Sequence, residues 1–381
     1  MKKQSHLVKP ITNKALATLD IRKAMRKKFG RLQFPTAKEL DSLGFIPDGI
    51  STQSLEIDLA IGRPGIPRGR LTQILGLDGS GKSTLVTHLI AELQRQGGQA
   101  VLCDTEGSYE KWRLKLLGVD YDLLEWFRPR SLEEMYQMAR TFIELFVPAN
   151  PTIPLGIFID SLDGLHADAA MAAEAGESLP MIDARVNGTE NPKLVDLAGR
   201  YKVALVYCSQ LTTKATMGGG GGRWAGPQYE TKGGLSPRYR ASLRLEVTKG
   251  PRAEDKSGIV TRVECIKNKL APPFRRAEFM LNFAHGIDTY EDLFNSGVAL
   301  RFITGGAAGR YRMVTRKKGL VKFVRKDWIK LVNDLGGPNI VRQKLTSRAI
   351  RLDKLRPYGQ ESDRPCAESE AEKAPQSGIE S

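Results

Sequence analysis

The chain has 381 residues, and its content of 41% hydrophobic and 27% charged residues is typical of a globular protein with one large core and smaller lobes. The formal net charge of +15 indicates a polyanionic partner, either nucleic acid or an anionic membrane surface. No apolar run approaches the ~20 residues that a membrane helix needs and no signal peptide follows the basic start, so we expect no membrane partner.

The four cysteines show no paired metal-ligand spacing. Three of them, Cys103, Cys208 and Cys265, lie in apolar runs that resemble strands, where we expect buried free thiols. Free thiols indicate a reducing compartment. We therefore predict a cytoplasmic, nucleoid-associated protein whose partner is nucleic acid.

Residues 1–45 predict a basic helical arm. Asn13 can cap a helix whose apolar residues, from Ala17 to Met25, share one face, and Gly30 can end it. The opposite face carries five basic residues between positions 22 and 28. Two interpretations remain open, a solvated basic face or an arm that docks on another copy of the chain.

A phosphate-binding motif opens the predicted core, with a glycine, four free positions and then Gly81-Lys82-Ser83. A strand-like run at 71–75 precedes it, and residues 85–93 have apolar positions at helical spacing. The backbone N–H groups of such a loop and of the following helix form an anion site. We expect Lys82 to bind the β- and γ-phosphates of a nucleoside triphosphate and Ser83 to complete a Mg²⁺ shell. The predicted nucleotide-binding residues of the loop are Gly76, Leu77, Asp78, Gly79, Ser80, Gly81, Lys82, Ser83 and Thr84.

Three further apolar strands are each followed or ended by a polar side chain, namely Glu106, Asp160 and Gln210. Continuous apolar strands that alternate with helices predict a parallel sheet covered on both faces, with ligands beyond the carboxyl ends of the strands. We therefore expect the three side chains beside the phosphate loop. There Asp160 can hold the Mg²⁺ shell, and Glu106 can polarise a water for attack on the γ-phosphorus.

Three stretches resemble the RecA recombinase family. The first is the segment 50–70 before the phosphate loop, and the second is Asp104-Thr105-Glu106 followed twelve residues later by Gly118-Val119-Asp120. The third is residues 263–279, in which Lys267 and Lys269 flank Asn268. The resemblance covers roughly residues 50–298. It implies an α/β fold with a RecA-like P-loop NTPase core, a doubly wound and mostly parallel sheet, and ATP and Mg²⁺ as cofactors.

The resemblance also implies residue roles. The glutamate that matches Glu106 activates the attacking water, and Gln210 matches a γ-phosphate sensor that links nucleotide state to the following loop. Lys267 and Lys269 match two lysines that reach across a subunit interface to the ATP of the neighbour. Without the family resemblance, the spacing places both lysines on one face of a strand. The alternative interpretation is that they form part of a salt-bridged surface.

The sequence departs from the family at the base of the nucleotide. Where relatives stack a tyrosine on adenine, this chain has Arg113 beside Trp112. The plane of either side chain can stack on a base, so both are candidate nucleotide-binding residues.

Two segments resemble the DNA-binding loops of the family. Residues 162–192 match the first loop loosely. Residues 211–235 contain five consecutive glycines, which cannot hold a fixed backbone without a partner. A glycine-rich loop with basic and aromatic residues suits a wrapped and stacked single strand, and a flexible linker is the alternative. The predicted DNA contacts are Lys214, Arg223, Trp224, Gly233, Gly234 and Arg238.

The predicted core at 46–288 is followed by a small C-terminal α+β lobe at 289–356. Its basic and aromatic residues alternate between positions 310 and 328, a pattern that fits a phosphate-tracking surface. Bacterial members of the family carry a comparable lobe that receives duplex DNA. Residues 357–381 form an acidic tail, which has no aromatic residue after position 359. We expect this tail to be disordered and able to compete with DNA for the lobe.

These features predict an ATP-dependent homologous recombinase that assembles into a helical filament on single-stranded DNA. Such a protein exchanges strands with homologous duplex DNA in recombination and repair, and it hydrolyses ATP as a DNA-dependent ATPase. Two alternatives remain: a hexameric helicase or other DNA-stimulated motor, and a regulator-type kinase of the same fold with protein partners. The paired lysines and the glycine-rich loop argue against the motor, and the charge of +15 argues against the regulator.

Overall fold

The computed structural model describes Lys27 and residues 49–172, 180–213, 229–231, 235–315 and 319–356. Apart from Lys27, all of these residues belong to one compact unit, Asp48–Ser381. The rest of the predicted basic arm, the glycine-rich stretch with its flanks at 214–228 and 232–234, and the acidic tail lie outside the described residues.

The described secondary structure comprises fifteen strands and ten α-helices. The strands are β1 (Gly49–Ile50), β2 (Ile66–Pro67), β3 (Leu71–Gly76), β4 (Gln99–Asp104), β5 (Leu124–Phe127), β6 (Leu155–Asp160), β7 (Ala204–Thr213), β8 (Tyr229–Thr231), β9 (Leu243–Arg252), β10 (Gly258–Asn268), β11 (Arg276–Asn282), β12 (Gly286–Ile287), β13 (Ile303–Gly305), β14 (Arg310–Thr315) and β15 (Gly319–Val324). The helices are α1 (Leu55–Ile61), α2 (Lys82–Arg95), α3 (Lys111–Leu116), α4 (Leu132–Ala149), α5 (Asp168–Met171), α6 (Pro180–Arg200), α7 (Ser236–Arg240), α8 (Thr289–Ala299), α9 (Trp328–Asp334) and α10 (Pro338–Arg351).

A 10-stranded sheet forms the centre of the core, in the order β12-β11-β10-β9-β3-β7-β6-β4-β5, with β8 paired to β7. All neighbours from β9 to β5 are parallel, whereas β10, β11 and β12 extend the sheet in antiparallel fashion. Every residue of β3 and β6 is buried, as expected for parallel strands with helices on both faces. The predicted α/β class and mostly parallel sheet are confirmed.

Two hydrophobic clusters cover the two faces of the sheet. One contains Leu85 and Leu89 of α2 together with Ile57 of α1. The other contains Tyr136 of α4 and Leu194 of α6. Helices therefore pack on both sides, which is the doubly wound arrangement that the sequence predicted.

The C-terminal lobe consists of the antiparallel sheet β13-β14-β15 with α8, α9 and α10 around it. The aromatic residues of its basic–aromatic pattern face inward: Phe323 and Trp328 stack with ring centroids 5.8 Å apart and are 9% and 3% exposed. Arg312 and Lys322 are exposed. The pattern therefore reflects strand alternation, and only its basic residues are available to a nucleic acid.

One buried carboxylate attaches the lobe to the core. Asp292 of α8 accepts hydrogen bonds from the Ser54 hydroxyl, from the Leu55 backbone N–H at 2.8 Å and from the Glu56 N–H at 3.3 Å. It thereby caps the N-terminus of α1 from a distant part of the chain. Burial raises the pKa of Asp292, while the charge of Arg342 acts to lower it.

Two other expectations concern the whole chain. Cys103, Cys208 and Cys265 are buried free thiols, as predicted, and burial raises the pKa of Cys103 and Cys265 to about 12. In the part of the chain that the structure describes, no helix is both long and apolar enough to cross a membrane.

Candidate active site

The phosphate loop joins the end of β3 to the start of α2. Gly79 and Gly81 have φ values of 65° and 102°, in the left-handed region that favours glycine. A Cβ atom on Gly76 would lie 2.3 Å from the carbonyl oxygen of Val247, so this position also requires glycine. No side chain caps the N-terminus of α2, whose backbone N–H groups are therefore available to an anion.

A cavity of about 270 Å³ lies against this loop. It brings the strand-end residues that the sequence predicted together with the loop. Its lining residues are Asp78, Gly79, Ser80, Gly81, Lys82, Ser83, Thr84, Glu106, Arg113, Asp160, Ser161, Gln210, Ile259, Leu281, Asn282 and Phe283. The strand register explains the convergence, because parallel pairing places Gly76 beside Gln210 and Asp104 beside Asp160.

The Lys82 ammonium lies within the loop. It donates hydrogen bonds to the backbone carbonyls of Gly76 at 3.1 Å and Leu77 at 2.9 Å. Gly76 and Leu77 therefore contribute through their carbonyls, and the Leu77 side chain is 45% exposed and outside the cavity lining. The hydroxyl oxygen of Ser80 is buried without a hydrogen-bond partner in the described residues, inside the same loop.

Ser83 and Asp160 supply oxygen atoms to one side of the cavity. Ser83 belongs to the first turn of α2, and Asp160 ends β6 with 5% exposure. A hydroxyl and a carboxylate fit Mg²⁺, which prefers oxygen ligands and takes the remainder from phosphate and water. No group of three or more metal-ligating side chains occurs in the described ranges, so a site assembled with the nucleotide suits these residues better than a metal site built by protein alone.

Glu106 follows β4 and is held by its neighbour at the end of β6. The Ser161 hydroxyl donates a hydrogen bond to Glu106 Oε1. Thr105 Oγ1 donates to the Ser161 carbonyl at 2.7 Å and accepts from the Ser161 N–H at 2.9 Å. These contacts hold the Glu106 carboxylate at the cavity, where it can orient a water molecule.

In the sequence, Gln210 stands shortly before the segment at 214–228, which lies outside the described residues. It lines the cavity, and its backbone N–H donates to the carboxylate of Asp163. β7 continues past Gln210 to Thr213, directly before the segment predicted to bind DNA.

The structure separates the two candidates for the nucleobase contact. Arg113 lines the cavity, and one of its guanidinium nitrogens donates to the Phe283 carbonyl at 2.7 Å. Trp112 is 63% exposed and is not part of the lining. Both belong to α3, where adjacent residues point in different directions.

Lys267 lies at the opposite end of the sheet from the phosphate loop. Its partner Arg244 on β9 pairs with Gln73, near the start of β3, whereas the loop follows Gly76 at the end of β3. Roughly 10 Å along the strands and roughly 10 Å across them separate Lys267 from Gly76. Lys267 therefore cannot reach the cavity of its own chain.

Several cationic side chains lie at the same end of the sheet. The Lys267 ammonium donates to the carbonyls of Arg238 at 2.8 Å and Tyr239 at 3.0 Å. Partial burial lowers the pKa of Lys267, as do the nearby charges of Lys269, Arg244 and Arg238. Lys269 is exposed and directly follows the last residue of β10. A register shift between positions 265 and 267 precedes it.

The remaining predicted DNA contacts differ in what the structure describes. Arg238 is exposed on α7. Lys214, Arg223, Trp224, Gly233 and Gly234 lie outside the described residues.

Sequence reasoning missed several residues of the cavity. Ser161 directly follows a predicted strand-end carboxylate, so its position carried a signal. Asn282 and Phe283 come from the end of β11, which the sequence alone does not place near the loop. Tyr109 donates a hydrogen bond to Asp160, yet nothing in its sequence surroundings indicates this contact.

Comparisons with known proteins agree with this architecture. The family model of the RecA N-terminal domain matches residues 20–288. The chain is 31% identical to the protein RecA of Rhodospirillum rubrum over 300 residues, which cover 76% of this chain and 79% of the relative. It is 31% identical to the protein RecA of Thermus aquaticus, over 82% of this chain and 91% of the relative. The protein RecA of Chlorobium chlorochromatii is 30% identical, over 80% and 84%.

Proposed function

The chain belongs to the RecA family, and from this premise we propose that neighbouring copies complete its ATPase site in a helical filament on single-stranded DNA. The protein is a recombinase and a DNA-dependent ATPase. The observation that supports the proposal is that the phosphate loop and Lys267 lie at opposite ends of one sheet. The phosphate loop follows Gly76 at one end, and Lys267 lies near the other. Repeated head-to-tail association would bring the two together at every interface.

The loop half of the site binds ATP. Lys82 and the N–H groups at the start of α2 contact the phosphates, while Ser83 and Asp160 hold Mg²⁺. When bound, Mg²⁺ neutralises charge on the phosphate oxygens. Glu106 orients the attacking water and accepts its proton, and Gln210 senses the γ-phosphate.

Arg113 contacts the nucleobase. Its guanidinium is held at the cavity by the Phe283 carbonyl and can stack on a base or donate hydrogen bonds to it. Trp112 stays a candidate only if α3 rotates on binding, because its side chain lies at the surface.

The far half of the site acts on the neighbour. Lys267 and Lys269 reach the phosphates of the adjacent copy and stabilise charge that develops in the transition state. The pKa of Lys267 is lowered in part by like charges around it, which is the situation that an incoming polyphosphate relieves. Arg238 and Arg244 belong to the same group of cations.

Single-stranded DNA binds along the glycine-rich segment. Lys214, Arg223, Trp224, Gly233, Gly234 and Arg238 are its proposed contacts. Homologous duplex DNA binds the C-terminal lobe through phosphate contacts, since the exposed residues of its sheet include Arg310, Arg312 and Lys322 while the aromatic residues lie inside. Such a protein acts in the cytoplasm on the nucleoid. The basic arm at 1–45 serves self-association, and the acidic tail at 357–381 competes with DNA.

Electron microscopy tests the assembly directly. The protein is imaged with single-stranded DNA and a slowly hydrolysed ATP analogue, and again without nucleotide. We expect helical filaments only when both ligands are present. Closed rings would instead support the motor alternative, and single particles in every condition would contradict the filament.

A further inference from the structure

We propose that Tyr109 is a positioning residue of the Mg²⁺ site. Its hydroxyl donates a hydrogen bond to Asp160 Oδ2, which leaves the other carboxylate oxygen to bind the cation. The inference rests on the role proposed above for Asp160 and adds a residue that no sequence motif marks.

The contact is short and enclosed. The Tyr109 hydroxyl donates to Asp160 Oδ2 at 2.6 Å, and the two residues are 9% and 5% exposed. Hydrogen bonds from a hydroxyl to a carboxylate are charge-assisted and stronger than neutral ones. With so little water available to compete, Tyr109 fixes the orientation of the Asp160 side chain.

The aromatic ring is held from its other side. It packs edge-on against Trp126 at 6.4 Å with an interplanar angle of 88°, and Trp126 packs against Tyr121 at 6.0 Å. Tyr109 belongs to the loop that also carries Glu106, and Ser108 N–H anchors this loop to Asp104 Oδ1 at 3.1 Å. The phenol therefore cannot turn away from Asp160 without disturbing the core.

The Tyr109 hydroxyl lies against the carboxylate of Asp160, one of the two proposed Mg²⁺ ligands. This hydrogen bond thus sets the position of the Asp160 carboxylate. Partners that orient a metal ligand in this way typically change metal affinity by about 10–100-fold when removed.

A second buried tyrosine provides a matched control. The Tyr136 hydroxyl donates to Asn187 Oδ1 at 2.7 Å, and Tyr136 lies in the cluster on the α4 and α6 face of the sheet. Tyr136→Phe removes a buried, hydrogen-bonded phenol hydroxyl just as Tyr109→Phe does. It does so away from the cavity lining.

The test measures binding of a fluorescent ATP analogue as a function of Mg²⁺ concentration, with thermal unfolding recorded for every variant. We expect Tyr109→Phe to raise the half-saturating Mg²⁺ concentration by roughly 10-fold and to leave metal-free nucleotide binding unchanged. Tyr136→Phe should lower thermal stability without changing the Mg²⁺ dependence. A merely structural role for Tyr109 predicts the same behaviour for both variants.

Asp160→Asn separates this inference from the proposal on which it rests. If Asp160→Asn leaves the Mg²⁺ dependence unchanged, the assignment of Asp160 is wrong and Tyr109 has no metal ligand to position. If Asp160→Asn raises the half-saturating concentration and a folded Tyr109→Phe does not, only the Tyr109 inference is overturned.

Discussion

The roles proposed for individual residues of the cavity are of two kinds, contact with phosphate in the ground state and action on the attacking water. Lys82 and the N–H groups of α2 belong to the first kind, since they lie within the loop itself. Glu106 belongs to the second, because its carboxylate is tied to Ser161 at the cavity and carries no role in holding the loop. Removing either kind should therefore affect a different measurable step.

Glu106→Gln should bind ATP and DNA normally while hydrolysis falls by roughly 10²–10⁴-fold. The amide keeps the size of the side chain and still accepts a hydrogen bond from Ser161, but it cannot take a proton from water. Steady-state ATPase assays and equilibrium nucleotide binding check both statements. Lys82→Ala is the contrasting variant, in which binding itself weakens. Near-normal turnover in Glu106→Gln would remove Glu106 from the mechanism.

His88 is a buried titratable residue of α2 behind the phosphate loop. Its Nε2 accepts a hydrogen bond from the Ile287 N–H at 3.0 Å, so Nδ1 carries the proton and donates to Gln53 Oε1 at 2.8 Å. Burial, together with the charges of Arg113 and Arg342, lowers the pKa of His88 to about 4. The fold therefore requires the neutral imidazole.

The free energy of unfolding should fall as pH is lowered from about 6.5 towards 4 because of His88. In this window the unfolded chain binds a proton at His88 and the folded chain does not, and the full effect is ~3 kcal/mol. Burial raises the pKa of Asp58 to about 6, which works in the opposite direction, so the comparison must be with a variant. Urea unfolding of His88→Gln should show a weaker loss on acidification than the unmodified protein. His285→Gln, at an exposed position, serves as the control, and identical pH slopes for all three proteins would contradict the assignment.

At the scale of elements, the sequence predicted what depends on local pattern. The apolar runs before Glu106, Asp160 and Gln210 identified three strands, because parallel strands buried on both faces need continuous apolar sequence. Their placement at one edge of the sheet followed from the rule that ligands bind beyond the carboxyl ends of parallel strands. Phe323 and Trp328 of the lobe were misassigned to a binding surface, since alternation along β15 turns Phe323 inward and Trp328 is buried at the start of α9.

Contacts between distant elements could not be predicted in the same way. Asp292 looks like an ordinary acidic residue in the first turn of a helix, where it favours the helix dipole. Its hydrogen bonds to the start of α1 join residues 238 positions apart and are set by packing alone. The Tyr109–Asp160 contact has the same origin. Long-range polar pairs leave no periodic trace in a sequence.

The glycine-rich element is expected to bind single-stranded DNA. Arg223→Ala combined with Trp224→Ala should cost about 1–3 kcal/mol of binding free energy through the lost stacking partner. The logarithm of the affinity should fall linearly with the logarithm of salt concentration, with a slope of about −0.7 per neutralised phosphate, and the variant should have a shallower slope. Fluorescence anisotropy over a salt series measures both. Lys256→Ala, at an exposed position of the core, is the control. Unchanged affinity and slope would show that the segment is a linker.

At the scale of the whole molecule, we propose that each copy carries two incomplete half-sites. The loop half contains the groups proposed to bind ATP, and the far half contains Lys267 and Lys269, of which Lys267 lies too far from the loop to serve its own chain. Loss of the lysines must then have effects that depend on assembly. Lys267→Ala with Lys269→Ala should leave ATP binding by isolated subunits intact and abolish DNA-stimulated hydrolysis, since a cation supplied in trans is worth ~10³–10⁵-fold in related phosphoryl transfers.

Mixing two inactive variants tests the trans arrangement without assuming any rate. Lys82→Ala has a defective loop but intact lysines, whereas the double-lysine variant has an intact loop. In mixed filaments, some interfaces place the lysines of the first against the nucleotide of the second, so DNA-stimulated hydrolysis should partly return. Lys115→Ala with Lys256→Ala removes two exposed lysines elsewhere in the core and should behave as the unmodified protein. If the mixture is no more active than its components measured separately, Lys267 and Lys269 do not act on a neighbour, and the two ends of the sheet are not halves of one site.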